Sequence, residues 1–212
     1  ELSAMAVGRK NVYVATDDER ISYAVESVGY QAIMTSDNCF TGTDRLAEAI
    51  EYIDADIIIN VQGDEPIVKP EDIQRAIAMK SENMGSVING YTWLSPDEDP
   101  DNINIPKVIT TETDNLVYMS RNALPGYKEK KHAPAGYKKQ VCIYGFTRQE
   151  LRAFRNFNRK SQLEQSEDIE ILRFLELDIP VLMFETSPGS YAVDTPEDIP
   201  VVEKALQEFH KL

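Results

Sequence analysis

The chain has 212 residues, 42% of them hydrophobic and 27% charged, a globular composition that sets disorder aside. Its 22 Lys and Arg stand against 36 Asp and Glu for a net charge of −14, which argues against a nucleic-acid or anionic-membrane surface, since both need basic patches. A small anionic substrate in a locally positive cleft remains compatible with that balance.

No apolar run approaches the roughly 20 residues of a bilayer span, so a soluble, cytoplasmic protein is expected. Cys39 and Cys142 lie far apart and only two histidines are present, which argues against zinc or a disulfide framework.

In chain order, Leu2, Ala4, Met5, Ala6 and Val7 read as the last turns of a helix stopped by Gly8. A domain seldom opens there, so further sequence upstream of Glu1 is expected. Residues 12–15 are a short apolar strand with a polar exit, 19–28 a helix stopped by Gly29, and 32–34 a second strand. Residues 43–53 are amphipathic, with Leu46, Ala49, Ile50 and Ile53 on one face. The strongest strand is 56–61, apolar on both faces as an interior parallel strand is. Pro70, Glu71 and Asp72 open the next helix.

From 86 to 146 the character changes to β-type segments at 86–92, 107–111, 117–120 and 141–146, expected to be antiparallel, with an exposed, mobile loop at 126–139. Helical periodicity returns at 147–156 and 164–177. Strands follow at 181–185 and 191–193, and a helix closes the chain at 197–211. The alternation predicts one α/β domain over 1–212, Rossmann-like, with a mostly parallel sheet covered on both faces.

Three segments carry candidate chemistry. Asn60-Val-Gln-Gly-Asp-Glu-Pro66 sits where the best strand ends, the place where open α/β sheets bind ligands. A carboxylate there, Asp64, suits Mg²⁺, a hard ion usually shared with substrate phosphates. Tyr191-Ala-Val-Asp-Thr-Pro-Glu-Asp198 places Asp194 after another apolar run, ahead of a helix capped by Thr195 and begun by Pro196. Turn and capping chemistry accounts for either aspartate alone; a shared metal role gains support only if both strands point the same way and their ends converge on one crevice. Thr41-Gly-Thr-Asp-Arg45 opens a helix whose N-terminal N–H groups favour an anion, with Arg45 as a bidentate donor. A capped helix with a surface Arg–Glu pair is the alternative. Neither a dinucleotide fingerprint nor a Walker loop is present, and His132 and His210 complete no catalytic triad.

Taken in order, Val14-Ala-Thr-Asp17, Thr41-Gly-Thr-Asp-Arg-Leu-Ala-Glu48, Val61-Gln-Gly-Asp-Glu-Pro66, Ser120-Arg121, Ile143-Tyr-Gly145 and Val193-Asp-Thr-Pro-Glu-Asp198 resemble the 3-deoxy-manno-octulosonate (Kdo) cytidylyltransferases over nearly the whole chain. The third and last blocks are the most specific. The resemblance implies a cytoplasmic, Mg²⁺-dependent enzyme that joins CTP to a 2-keto-3-deoxy sugar acid, releasing pyrophosphate, in lipopolysaccharide or capsule synthesis. It also implies a homodimer formed through a β-rich insertion, here 86–146.

By matching positions it assigns Asp64 and Asp194 to catalysis and metal, and Asp17, Gly42, Thr43, Arg45 and Gln62 to the nucleotide. Arg121, Gln140, Tyr144, Glu167 and Glu170 fall to the sugar acid, with Arg121 on its carboxylate.

Three departures stand out. The family's opening strand and its loop of the type Ile-Pro-Ala-Arg…Ser-x-Arg-Leu-Pro-x-Lys, which grips the triphosphate, have no counterpart from Glu1 onward. Gln140 stands where the family commonly has His. The helix usually reading Ser-Pro-Leu-Glu…Glu-Gln-Leu-Arg is here Ser161-Gln-Leu-Glu164…Glu170-Ile-Leu-Arg173. The alternatives are a related transferase acting on another acceptor, such as a nonulosonic acid, or a non-catalytic nucleotide-binding domain.

Overall fold

Local capping signals set most of the helix starts. In a computed structural model describing residues 1–189, 192–193, 196 and 199–209, α1 (Leu2–Val7) ends at Gly8 with φ 81°. It is followed by β1 (Tyr13–Thr16), α2 (Glu19–Ser27), β2 (Gln31–Met34), α3 (Gly42–Ala49), β3 (Ile57–Val61) and α4 (Pro70–Glu82). Asp18 accepts the Arg20 N–H at 2.8 Å to cap α2, Thr41 accepts the Asp44 N–H at 3.2 Å to cap α3, and Pro70 opens α4. Then come β4 (Val87–Trp93), β5 (Lys107–Thr110), β6 (Leu116–Ser120) and β7 (Lys138–Thr147). The chain continues through α5 (Arg148–Asn156), α6 (Gln162–Glu167), α7 (Leu172–Glu176), β8 (Val181–Glu185) and α8 (Ile199–Phe209).

Three expectations are corrected. The helix expected over 164–177 is divided into α6 and α7, because Asp168 takes up left-handed backbone at φ 51°, a region its short polar side chain tolerates. Lys138 and Lys139 belong to β7 rather than to the preceding loop. Of the strand expected at 191–193, Tyr191 lies outside the described residues, and Ala192 and Val193 are not strand; the Val193 N–H bonds the Asp64 carbonyl at 2.9 Å instead.

The α/β class holds, and the sheet is mixed. β1 and β2 pair in parallel as a two-stranded sheet, and a six-stranded sheet runs β6-β5-β7-β4-β8 with β3 also on β7. β4 and β8 are parallel, whereas β7 runs antiparallel to β3, β4 and β5. The expected mostly parallel sheet is therefore corrected: in the six-stranded sheet only β4 and β8 are parallel neighbours, because β7 returns between β3 and β4. β3, expected as an interior parallel strand, pairs only with β7 among the described strands, and antiparallel to it. The segments in 86–146 pair antiparallel with one another, as their composition predicts.

Alternation along β7 divides the core. Tyr144 and Phe146 point to a layer with Leu151, Phe154, Leu172 and Phe174, while Val141 and Ile143 pack with Ile73, Ala76 and Ile88 beneath α4. Phe174 stacks between Phe146 at 5.4 Å and Phe154 at 4.8 Å, within the range of favourable aromatic pairs.

Ionic groups are locked into this core. Arg173, 0% exposed, donates five hydrogen bonds, to Glu164 at 2.7 and 2.6 Å, to Asp44 at 2.9 and 3.1 Å, and to the Phe154 carbonyl at 3.3 Å. Lys80, equally buried, meets both Glu150 oxygens at 2.8 Å, and Glu150 also closes the capping box of α5 with Thr147. Among the described residues no helix is long and apolar enough to cross a membrane.

Candidate active site

β3 and β5 lie end to end along one edge of β7. β3 covers Ile143 to Thr147, β5 covers Lys138 and Lys139, and Gln140–Cys142 fall in the gap between them. Loops satisfy the backbone there. Gln140 N–H donates to the Pro106 carbonyl at 3.0 Å, Gln62 N–H to the Cys142 carbonyl at 3.2 Å, and Cys142 N–H to Glu65 Oε1 at 3.0 Å. A cavity of about 360 Å³ opens at this gap, beyond the carboxyl end of β3.

The cavity brings together Gln62, Asp64, Arg121, Gln140, Tyr144 and Glu170, residues spread over more than half the chain. Glu65, Glu98, Lys139, Cys142, Asp168 and Ile169 line it as well.

The Arg121 guanidinium is anchored by three backbone carbonyls, Glu167 at 2.6 Å, Ile103 at 2.8 Å and Asp168 at 3.0 Å, which leaves N–H groups for an anion. Beneath it Lys107, 0% exposed, donates to the carbonyls of Asn102 at 2.8 Å and Arg121 at 2.5 Å; burial pulls its pKa down. At the rim Lys139 is paired with Glu98.

The anion at the N-terminus of α3 is the chain's own Glu170. Its carboxylate accepts from Gly42 N–H at 3.1 Å, Thr43 N–H at 2.8 Å and the Thr43 hydroxyl at 2.5 Å. Burial lifts the Glu170 pKa above its ordinary value, against the lowering effect of those donors.

Arg45 and Asp17 pair with each other at 2.7 Å, with Thr35 also on Arg45 at 2.6 Å, and neither lines the cavity. Asp194 lies outside the described residues. Among the described residues, no cluster of three or more His, Cys, Asp or Glu is arranged to hold a metal by itself.

Burial, reinforced by the Glu65 and Asp64 carboxylates, pushes the Cys142 thiol well above its ordinary pKa, and burial does the same to the Tyr144 phenol. Both stay protonated near neutrality. As thiol and phenol they can hydrogen-bond and are poor nucleophiles.

Glu167 stands behind Arg121 and accepts from the Ser120 hydroxyl at 2.8 Å, the Arg121 N–H at 2.9 Å and the Tyr118 hydroxyl at 3.2 Å. Burial opposes ionisation of Glu167. The Arg121 amide and the two hydroxyls outweigh it, and its pKa falls below the ordinary 4.5. A folded pKa below the unfolded one adds stability above the ordinary value, lost as pH falls through the lowered one. Glu167→Gln is therefore expected to lower the urea midpoint at neutral pH, with the gap to the unsubstituted chain closing as the pH falls from neutrality through the ordinary 4.5 and below it. A gap unchanged across that range would show that the ionised carboxylate is not what holds this corner.

Sequence reasoning did not single out Glu65, Glu98, Lys107, Lys139, Cys142 or Asp168. A signal existed for two of them. Cys142 shares with Gln140 and Tyr144 the period-two face of β7, and Glu65 adjoins Asp64. Lys107 and Glu98 reach the site only through the fold.

A family model described as cytidylyltransferase matches residues 3–180. The chain is 38% identical to a 3-deoxy-manno-octulosonate cytidylyltransferase of Thermodesulfovibrio yellowstonii, over 93% of this chain and 82% of that protein. It is 35% identical to an 8-amino-3,8-dideoxy-manno-octulosonate cytidylyltransferase of Shewanella oneidensis, over 97% and 85%. Among solved structures it resembles a CMP:2-keto-3-deoxy-manno-octonic acid synthetase complexed with CTP, with a TM-score of 0.86 and 32% identity over 97% of this chain and 84% of that one.

Proposed function

The chain belongs to the cytidylyltransferase family, and from that premise we propose that it transfers the cytidylyl group of CTP to a Kdo-type 2-keto-3-deoxy sugar acid, releasing pyrophosphate. The product, a CMP-sugar, is an activated donor for lipopolysaccharide or capsule synthesis. The observation that supports this reading is that Gln62, Asp64 and Arg121 line one cavity, so the turn assigned to the nucleotide and the cation assigned to the sugar carboxylate share one site.

In this reaction the anomeric hydroxyl of the sugar attacks the α-phosphorus in line and pyrophosphate leaves, so positioning and charge neutralisation are what the protein has to supply. The protonated state of Cys142 and Tyr144 agrees with a direct displacement that needs no covalent nucleophile. Arg121, held by three carbonyls, is assigned to the sugar carboxylate, with Gln140 and Tyr144 beside it. Glu167 acts from behind this side by fixing Arg121, and Glu170, in the cavity wall, fixes the start of α3. Gln62, Gly42 and Thr43 are assigned to the nucleotide side, with Arg45 and Asp17 at its margin.

Asp64 offers hard oxygen donors in the cavity, a fit for Mg²⁺, which is commonly held by one or two carboxylates together with substrate phosphates. Asp194 is assigned as its companion; Val193, the residue before it, is hydrogen-bonded to the Asp64 carbonyl. When bound, the ion supplies charge neutralisation at the triphosphate.

Gln140 in place of the family's common His, together with the Shewanella relative, favours testing an amino-substituted acceptor alongside Kdo. Pyrophosphate release with CTP and Mg²⁺ is to be measured for Kdo, 8-amino-Kdo and a nonulosonic acid. Release with a Kdo-type acid supports the reading. Release with the nonulosonic acid alone would replace the acceptor, and no release together with no CTP binding by calorimetry would sink the enzyme reading.

We also propose that the chain forms a homodimer through the β-rich segment 86–146. The outer position of β6 and the exposure of Val117 on it support that assignment. A monomer in sedimentation at micromolar concentration would overturn it.

A further inference from the structure

The sugar side of the cavity contains an amide pair, one member fully buried and the other half-buried, whose polarity is determined by the backbone around it. Between β4 and β7 the register jumps: Asn89 stands opposite Tyr144 and Gly90 opposite Val141, so Cys142 and Ile143 form a bulge. Asn89, 0% exposed, closes it, with Nδ2 donating to the Val141 carbonyl at 3.0 Å and the Ile143 carbonyl at 2.9 Å. Only the nitrogen end of the amide can satisfy two carbonyl oxygens, so the orientation of Asn89 is settled.

Its Oδ1 must then accept, and it does so from Gln140 Nε2 at 3.0 Å. The same Nε2 donates to the Tyr144 hydroxyl at 3.2 Å. Both donors of the Gln140 amide are thereby committed inside the protein. Its Oε1 accepts no hydrogen bond among the described residues, and Gln140 lines the cavity.

We propose that Asn89 is a positioning residue that holds Gln140 with its carbonyl oxygen available to the cavity, so that Gln140 reads a hydrogen-bond donor, a hydroxyl or an ammonium, on the acceptor sugar. This rests on the transfer reading above. The bulge, a feature of the backbone, thus sets the polarity of a recognition group. A histidine at the same position could present either a donor or an acceptor, whereas this glutamine presents an acceptor only. An acceptor molecule that places its own carbonyl or carboxylate oxygen there meets two opposed lone pairs and binds weakly.

The test uses steady-state kinetics of the full chain with CTP, Mg²⁺ and the best acceptor of the panel. Gln140→Met is expected to raise the acceptor KM about tenfold, the loss of roughly one hydrogen bond, with the KM for CTP within about twofold of its original value. Asn89→Ala is expected to raise the acceptor KM in the same direction, and to add nothing when combined with Gln140→Met, because the two act through one amide. Equal effects of Asn89→Ala in both backgrounds would reduce Asn89 to a structural residue and overturn the proposal.

Should Asn89→Ala fail to fold, Gln140→Met and Gln140→Glu decide. The carboxylate of Gln140→Glu has no donor for Asn89, so its acceptor KM also rises about tenfold. An unmoved acceptor KM in either variant overturns the proposal alone. An unsubstituted chain that releases no pyrophosphate with any acceptor overturns the transfer reading and this proposal with it.

Discussion

Asp64→Asn is expected to lower pyrophosphate release from CTP by on the order of 10³-fold while leaving the unfolding midpoint where it was. The substitution keeps the shape of the side chain and removes its charge. The backbone role of the residue is untouched, since the Asp64 carbonyl still accepts the Val193 N–H at 2.9 Å. What is lost is the anionic ligand that would hold Mg²⁺ against the triphosphate at the end of β3, and an amide oxygen is a much weaker partner for a hard divalent ion. A second readout does not depend on turnover: the Mg²⁺-dependent part of CTP binding, measured by calorimetry, is expected to vanish in the variant. Undiminished activity, or CTP binding that gains as much from Mg²⁺ as before, would remove Asp64 from the metal site.

Arg173→Met is expected to destabilise the fold by at least about 3–5 kcal/mol, the range for breaking a buried ion pair from one side. Two carboxylates depend on this guanidinium. Glu164 and Asp44, 1% and 5% exposed, would remain in the core with their bidentate partner gone. The damage would extend to the site, because Asp44 lies in the first turn of α3 and Glu164 at the start of α6, so the triad ties together the two segments that meet at Glu170. A denaturant midpoint, read by circular dichroism, measures the loss. Neutralising the stranded charges in Asp44→Asn/Glu164→Gln/Arg173→Met is expected to recover part of it, since removing a whole buried ionic group is far milder than orphaning its partners. A single variant within about 1 kcal/mol of the unsubstituted chain would mean that water reaches and solvates the carboxylates.

Local signals made much of this protein legible from its residues. The β3 strand and the Gly63-Asp64 turn after it, the capped starts of α2 and α3, and the β-rich character of 86–146 are encoded within a few residues of where they appear. Helix continuity was less legible. The periodicity from 164 to 177 is unbroken in the sequence, and the left-handed turn at Asp168 that divides it also presents the Asp168 carbonyl to Arg121. The Thr41–Arg45 segment reads as a site for a bound anion with Arg45 as its donor; in the fold its N–H groups hold Glu170, 127 residues away from Thr43, and Arg45 pairs with Asp17.

What the sequence by itself determined is therefore the α/β class, the family through its ordered motifs, and the aspartate at the end of β3. Each depends on short-range spacing, on side chains that cap, turn or alternate within one element. Only the tertiary structure decided that β7 returns antiparallel between β3 and β4, that the gap on its edge opens on the cavity, and that the Asn89 oxygen accepts from the Gln140 amide. Asn89 lies in an unremarkable strand, and its partners Val141 and Ile143 are 52 and 54 residues further on. Strand order, bulges and buried polar pairs are set by which distant groups can satisfy one another once water is excluded, and no local pattern records that choice.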